Sequence, residues 1–181
     1  MSSKKTNKNN SLKINIQNVK FLNNASILDY VSGDSIMQNS LSQIKKILEK
    51  EHCKEKTNFT DEMALNLDFV EIKRQKGTSE RGNTVDFVVG LENKHLLLVE
   101  AKFQVKNVAN IVSDILDKID HSKRILTNNP NFISFYKQEI ILLNNKDFQQ
   151  NYNKLRRMLI SKSITIEPQT ISNFYNVFFE K

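Results

Sequence analysis

The chain has 181 residues, 27 Lys plus Arg against 20 Asp plus Glu, and a formal net charge of +7. Apolar residues make up 39%, with four Gly, two Pro and one Cys, which excludes collagen-like, Pro/Gly-rich, disulfide-stapled and four-cysteine zinc chains. Five lysines and no acid fall in residues 1–20, so the remainder carries only about +2 and is not a strongly basic body.

Residues 1–11, rich in Ser, Lys and Asn, are expected to be a disordered basic tail, with one domain over 12–181. The N-terminus has no apolar stretch behind its lysines, and the longest apolar run near the centre is Leu96 to Val99. Both argue against a secretion signal or a membrane anchor, so a cytoplasmic protein is expected.

KINIQNVKFL (13–22) alternates like a short strand. From Ser35 to about Glu55 the spacing of Met37, Leu41, Ile44 and Leu48 predicts one helix, with Glu51, His52 and Glu55 continuing its stripe. Three strands follow: Met63 to Lys73, Thr84 to Gly90 and His95 to Phe103. The basic loop 74–83 joins the first two as a hairpin tip, and 90–94 turns tightly into the third, giving a meander. Val108, Ile111, Val112, Ile115, Leu116 and Ile119 predict a helix over 106–126, stopped by Asn128-Asn129-Pro130. A buried strand (138–144), a helix from Asp147 to Leu159 and an aromatic-rich strand (171–181) complete an α/β sandwich on a mixed sheet.

One constellation stands out. Strand alternation puts Leu97, Val99, Ala101 and Phe103 on one face and Glu100 with Lys102 on the other. Asp86 sits on the neighbouring strand within Val85-Asp86-Phe87-Val88-Val89. Buried charges must be paired or bound to metal, and two adjacent carboxylates repel unless a cation lies between them. A few oxygen ligands suit Mg²⁺. The rival explanation is a solvated charge pair guarding a sheet edge.

Asp86 followed by Glu100-Ala101-Lys102 resembles the core of the PD-(D/E)XK, or restriction-endonuclease-like, nuclease superfamily. The resemblance covers roughly 110 residues, about 35 to 144, and implies an αβββαβ core: a helix, a three-strand meander, a helix and a strand, here with an extra C-terminal helix and strand. It implies that Asp86 and Glu100 hold Mg²⁺, with Mn²⁺ a possible substitute, that the Ala101 carbonyl is a third ligand, and that Lys102 positions water. It also implies hydrolysis of nucleic acid, DNA by preference. Val85 stands where the family has Pro, and the second helix lacks the Gln-x-x-x-Tyr of some exonuclease-like members. Many members add an acid on the first helix; Glu51 and Glu55 are the candidates, and the sequence does not choose. Gln104 shares the Lys102 face if the strand continues.

Lys73, Arg74, Lys76 and Arg81 ring the hairpin loop and are the candidate phosphate contacts. Lys118, Lys123 and Arg124, and Lys154, Arg156 and Arg157, form further basic clusters that read as solvated faces. His52, His95, His121 and Cys53 lack metal spacing and read as structural or surface residues. Phe174, Tyr175, Phe178 and Phe179 suit core or a homodimer contact. The rival functions are a catalytically inactive nucleic-acid-binding module and a protein-interaction module on the same fold.

Overall fold

The structure, a computed structural model, describes residues 19–76, 81–104, 108–161 and 164–180. The basic tail and most of the 13–22 segment lie outside these residues. Positions 19–22 are not a strand, although Phe21 N–H donates to the Phe178 carbonyl at 2.8 Å.

A mixed sheet of seven strands forms the centre, in the order β1-β2-β3-β4-β6-β7 with β5 also on β4. These strands are β1 (Leu41–Gln43), β2 (Met63–Asn66), β3 (Phe87–Gly90), β4 (His95–Lys102), β5 (Ser134–Phe135), β6 (Ile140–Leu143) and β7 (Glu167–Thr170). β1 to β4 pair antiparallel, so the expected meander is present in β2, β3 and β4. β6 runs parallel to β4 after the long helix α5 (Val108–Thr127), and β7 runs parallel to β6. A parallel return needs such a crossover. Pro168 sits in β7, which ends the sheet order, where a missing N–H is tolerated.

Helices cover both faces, giving an α/β sandwich. Val88, Leu96, Leu98, Ile141 and Leu143 pack against Ile27 and Val31 of α1 (Ala25–Val31), Met37 of α2 (Ser35–Gln38), Val112, Ile115 and Ile119 of α5, and Leu155 and Leu159 of α6 (Phe148–Ser161). Phe87, Val89, Leu97, Val99, Ile140 and Leu142 meet Ile44, Ile47 and Leu48 of α3 (Ile44–Lys50) and Ile171, Phe174 and Phe178 of α7 (Ile171–Phe178). Each fully buried aliphatic or aromatic side chain contributes roughly 1.5–3 kcal/mol, so the two clusters dominate stability. A Cβ on Gly90 would come within 2.6 Å of the Ile27 backbone nitrogen, so glycine lets α1 lie directly on β3.

Three sequence expectations are corrected. The predicted helix 35–55 is α2, β1 and α3 in succession. Ser40 ends the first, its Oγ donating back to the Ile36 carbonyl at 2.8 Å, and Leu41 then pairs with Leu65. The predicted strand 63–73 stops at Asn66, whose side chain accepts from Phe69 N–H at 3.0 Å and caps α4 (Leu67–Arg74). Loop 74–83 therefore leaves a helix rather than a strand. The predicted strand 171–181 is α7, capped by Thr170 and burying Ile171, Phe174 and Phe178 at helical spacing; β7 precedes it.

Candidate functional site

Asp86 lies one residue before β3. The β3–β4 register pairs Phe87 with Val99 and Val88 with Leu98, so its next step sets Asp86 opposite Glu100 on the same face. That face also carries Val88, Leu96 and Leu98 and is roofed by α5. Both carboxylates are buried, Asp86 to 5% exposure and Glu100 to 1%.

Backbone and helix contacts fix Asp86. Its Oδ2 accepts from Ala101 N–H at 2.6 Å. Just before it, Val85 N–H donates to Ser122 Oγ of α5 at 2.9 Å. Gly82 N–H donates to Glu71 Oε1 at 2.9 Å, and the His121 ring nitrogen meets the same oxygen at 3.1 Å. A Cβ at position 82 would come within 2.1 Å of the His121 ring. Glycine thus lets the 81–85 segment lie against α5 and deliver Asp86 to the sheet.

Glu100 is held through one oxygen only. Lys102, two residues along β4, forms an ion pair with Oε1. Lys118 of α5 donates to the same Oε1 at 2.7 Å. Oε2 is buried with no hydrogen-bond partner. An unpartnered buried carboxylate oxygen carries a desolvation penalty of about 1–3 kcal/mol or more.

The electrostatics follow. Burial pushes the Asp86 carboxyl up to about 8, and the Glu100 charge adds to the rise; Ala101 N–H and Lys118 oppose it, and Glu51 raises it further. Burial depresses the Lys118 ammonium, but Glu100, with Asp86 and Asp68 behind it, more than offsets this and holds it above the ordinary lysine value.

Two further carboxylates approach Asp86 from other elements. Single oxygens of Glu51, Asp68 and Asp86 lie within 4.8 Å of one another. Glu51 follows the last residue of α3, and Asp68 stands in the first turn of α4. Asp68 Oδ1 accepts from Thr84 Oγ1 at 2.9 Å, and its Oδ2 is 3.9 Å from Lys50 Nζ. Of the two first-helix acids left open by sequence, Glu51 lies near Asp86, whereas Glu55 accepts from Asn145 N–H at 2.6 Å. Three hard oxygen donors, from Glu51, Asp68 and Asp86, fit a small divalent cation; Glu100, opposite Asp86 across the strands, is not within that group of three.

The remaining candidates scatter. Ala101 contributes its N–H to Asp86, and Gln104 is exposed beyond the end of β4. Lys73 donates to the Asn39 carbonyl at 2.7 Å, and Arg74 pairs with Asp34 at 2.7 Å. Lys76 and Arg81 are exposed, and Arg81 stands on the wall of a cleft of about 290 Å³ that Asp68, Thr84 and Lys118 also line. Residues 77–80 of the basic loop lie outside the described residues. His95 Nδ1 and Ser134 Oγ are 2.6 Å apart, Lys123 pairs with Glu139 at 2.6 Å, and burial pushes the Cys53 thiol up. Phe174 and Phe178 are core.

Two neighbours of the Asp86–Glu100 pair are not found from the sequence. Asp68 is hidden by the strand assignment, though Asn66 as a cap ahead of Asp68 was its signal. Lys118 is visible only as one of many basic residues, because its partner is set by the α5 crossover. Among the described residues no helix is long and apolar enough to cross a membrane. No family model, curated protein or solved structure matches the chain.

Proposed function

We propose that the chain is a metal-dependent phosphodiesterase that hydrolyses nucleic acid, with DNA the favoured substrate, on a restriction-endonuclease-like core. The element order supports this: α3, the β2-β3-β4 meander, α5, then β6 parallel to β4, with α4 inserted between β2 and β3. The observation that carries it is the buried Asp86–Glu100 pair, opposed on adjacent strands, with one Glu100 oxygen unpartnered and Lys102 on the same face.

Asp86 and Glu100 would hold the cation, and Glu51 and Asp68, whose oxygens lie within 4.8 Å of an Asp86 oxygen, would extend the ligand set from the Asp86 side. Mg²⁺ or Mn²⁺ would supply Lewis-acid charge and lower the pKa of a water. The protein supplies the rest. Ala101 N–H fixes the Asp86 carboxylate, and Lys102 and Lys118 orient Glu100 through Oε1 so that Oε2 stays free. Lys102, at 30% side-chain exposure, can also turn to a phosphoryl oxygen and stabilise charge developing on it.

The test is a cleavage assay on single-stranded, duplex and branched DNA and on RNA with Mg²⁺ or Mn²⁺. Asp86→Asn and Glu100→Gln abolish cutting, and Lys102→Met lowers it by roughly 10²–10³-fold. Folded protein that cuts none of these substrates overturns the proposal. A second reading, a non-catalytic nucleic-acid-binding module, draws support from the two ammonium groups that neutralise Glu100 without a metal. It predicts metal-independent, salt-sensitive binding that survives Glu100→Ala.

A further inference from the structure

α4 turns an unusual face outward. It buries Leu67, Val70 and Glu71, while Phe69 and Ile72, one turn apart, are 41% and 38% exposed. Lys73 and Lys76 are exposed on the same stretch, and Lys50 Nζ lies 4.9 Å from the Phe69 ring centroid. Lys50 bridges the apolar pair to the acid cluster, because its Nζ is also 3.9 Å from Asp68 Oδ2. Ile72 forms part of the cleft of about 290 Å³, whose walls also carry Arg81 and Lys118.

Two exposed apolar side chains among cations, beside a carboxylate cluster, match the two halves of a nucleotide. A phosphate requires the cations, and a base requires a flat apolar surface. In a duplex the base faces are stacked internally and cannot reach a side chain on a helix surface. We propose, resting on the nucleic-acid reading above, that this face seats one nucleotide of an unpaired strand, its base on Phe69 and Ile72 and its phosphate against Lys118 and Arg81. The substrate class is therefore single-stranded nucleic acid, or a duplex with an unpaired end or flap.

The test uses fluorescence anisotropy with a labelled single-stranded oligonucleotide and the duplex of the same sequence, run both with a chelator and with Ca²⁺. The single strand binds more tightly than the duplex. Phe69→Ala weakens single-strand binding about tenfold and leaves duplex binding unchanged, while Phe69→Tyr retains it. Arg81→Ala weakens binding and lowers the slope of log affinity on log salt by about 0.7 for the single strand. Duplex binding as tight as single-strand binding, or a Phe69→Ala variant that binds as the parent does, overturns this inference alone. A parent protein that binds neither oligonucleotide in either buffer overturns the nucleic-acid reading as well.

Discussion

Asp86 Oδ2 accepts a 2.6 Å hydrogen bond from the backbone N–H of Ala101, the residue between Glu100 and Lys102. The aspartate is thereby tied to the strand that carries the other two polar groups, and the three form one rigid unit rather than separate side chains. Rigidity of this kind matters because a cation site must be in place before the ion arrives.

This unit makes metal-free stability depend on pH. Asp86 rises from 3.8 to about 8 on folding, through burial and the Glu100 charge. Between those values the folded chain keeps a proton that the unfolded chain releases, so stability falls as pH rises through the window. In a chelator, the denaturation midpoint drops between about pH 4 and about pH 8. Asp86→Asn, neutral throughout, flattens that fall. A fall of equal size in the variant shows that another group is responsible.

Glu100 and Lys118 pull the Asp86 carboxyl in opposite directions, Glu100 upward and Lys118 downward. Glu100→Gln therefore moves the Asp86 titration to lower pH, and Lys118→Met moves it to higher pH. Carbon-detected NMR of the aspartate carboxyls reads both shifts. No shift in either variant would mean that burial alone sets the value.

Gly82 is a packing position with a functional consequence. Any side chain there meets the His121 ring, which is held against buried Glu71. Gly82→Ala costs about 1–3 kcal/mol by overpacking and shifts the 81–85 segment that delivers Asp86. His121→Ala in the same chain removes the clash, so the double variant is more stable than the sum of the two single changes predicts. Additive losses in thermal or urea unfolding would remove His121 as the obstacle.

The legible part of the protein is what burial dictates along a single element. HLLLVEAKF (95–103) shows β4 because its odd and even positions separate, and the α5 stripe shows because Val108 to Ile119 repeats at helical spacing. Glu100 and Lys102 follow from the β4 alternation, and Asp86 from the 84–90 strand joined to it by the turn at 90–94. The illegible part depends on caps and on partners distant in sequence. Leu65, Leu67 and Phe69 alternate as a strand does, but Asn66 caps a helix between them, and this moves Asp68 into the acid cluster. Ile171, Phe174 and Phe178 stand at steps of three and four, which a helix but not a strand puts on one face, and Thr170 caps that helix; the density of aromatic residues around them hides the period. Lys118 meets Glu100 across the long α5 connection, and no local pattern specifies that contact.

The cap that misleads the sequence also holds the turn that carries Asp68. Asn66 Oδ1 satisfies Phe69 N–H in the first turn of α4, the turn that carries Asp68. Asn66→Ala costs about 1 kcal/mol of stability. It also frays that turn and weakens divalent binding if Asp68 is a ligand. Thermal shift with Mg²⁺ or Mn²⁺ separates the cases, because a cation at a hundred times its Kd adds about 2.7 kcal/mol to the folded state. The gain is greatest above the Asp86 value of about 8, where no proton competes for the carboxylate. Asp86→Asn and Glu100→Gln remove it, while Glu51→Gln, Asp68→Asn and Asn66→Ala reduce it. A loss confined to the Asp86 and Glu100 variants takes Glu51 and Asp68 out of the ligand set and makes their proximity a matter of packing alone.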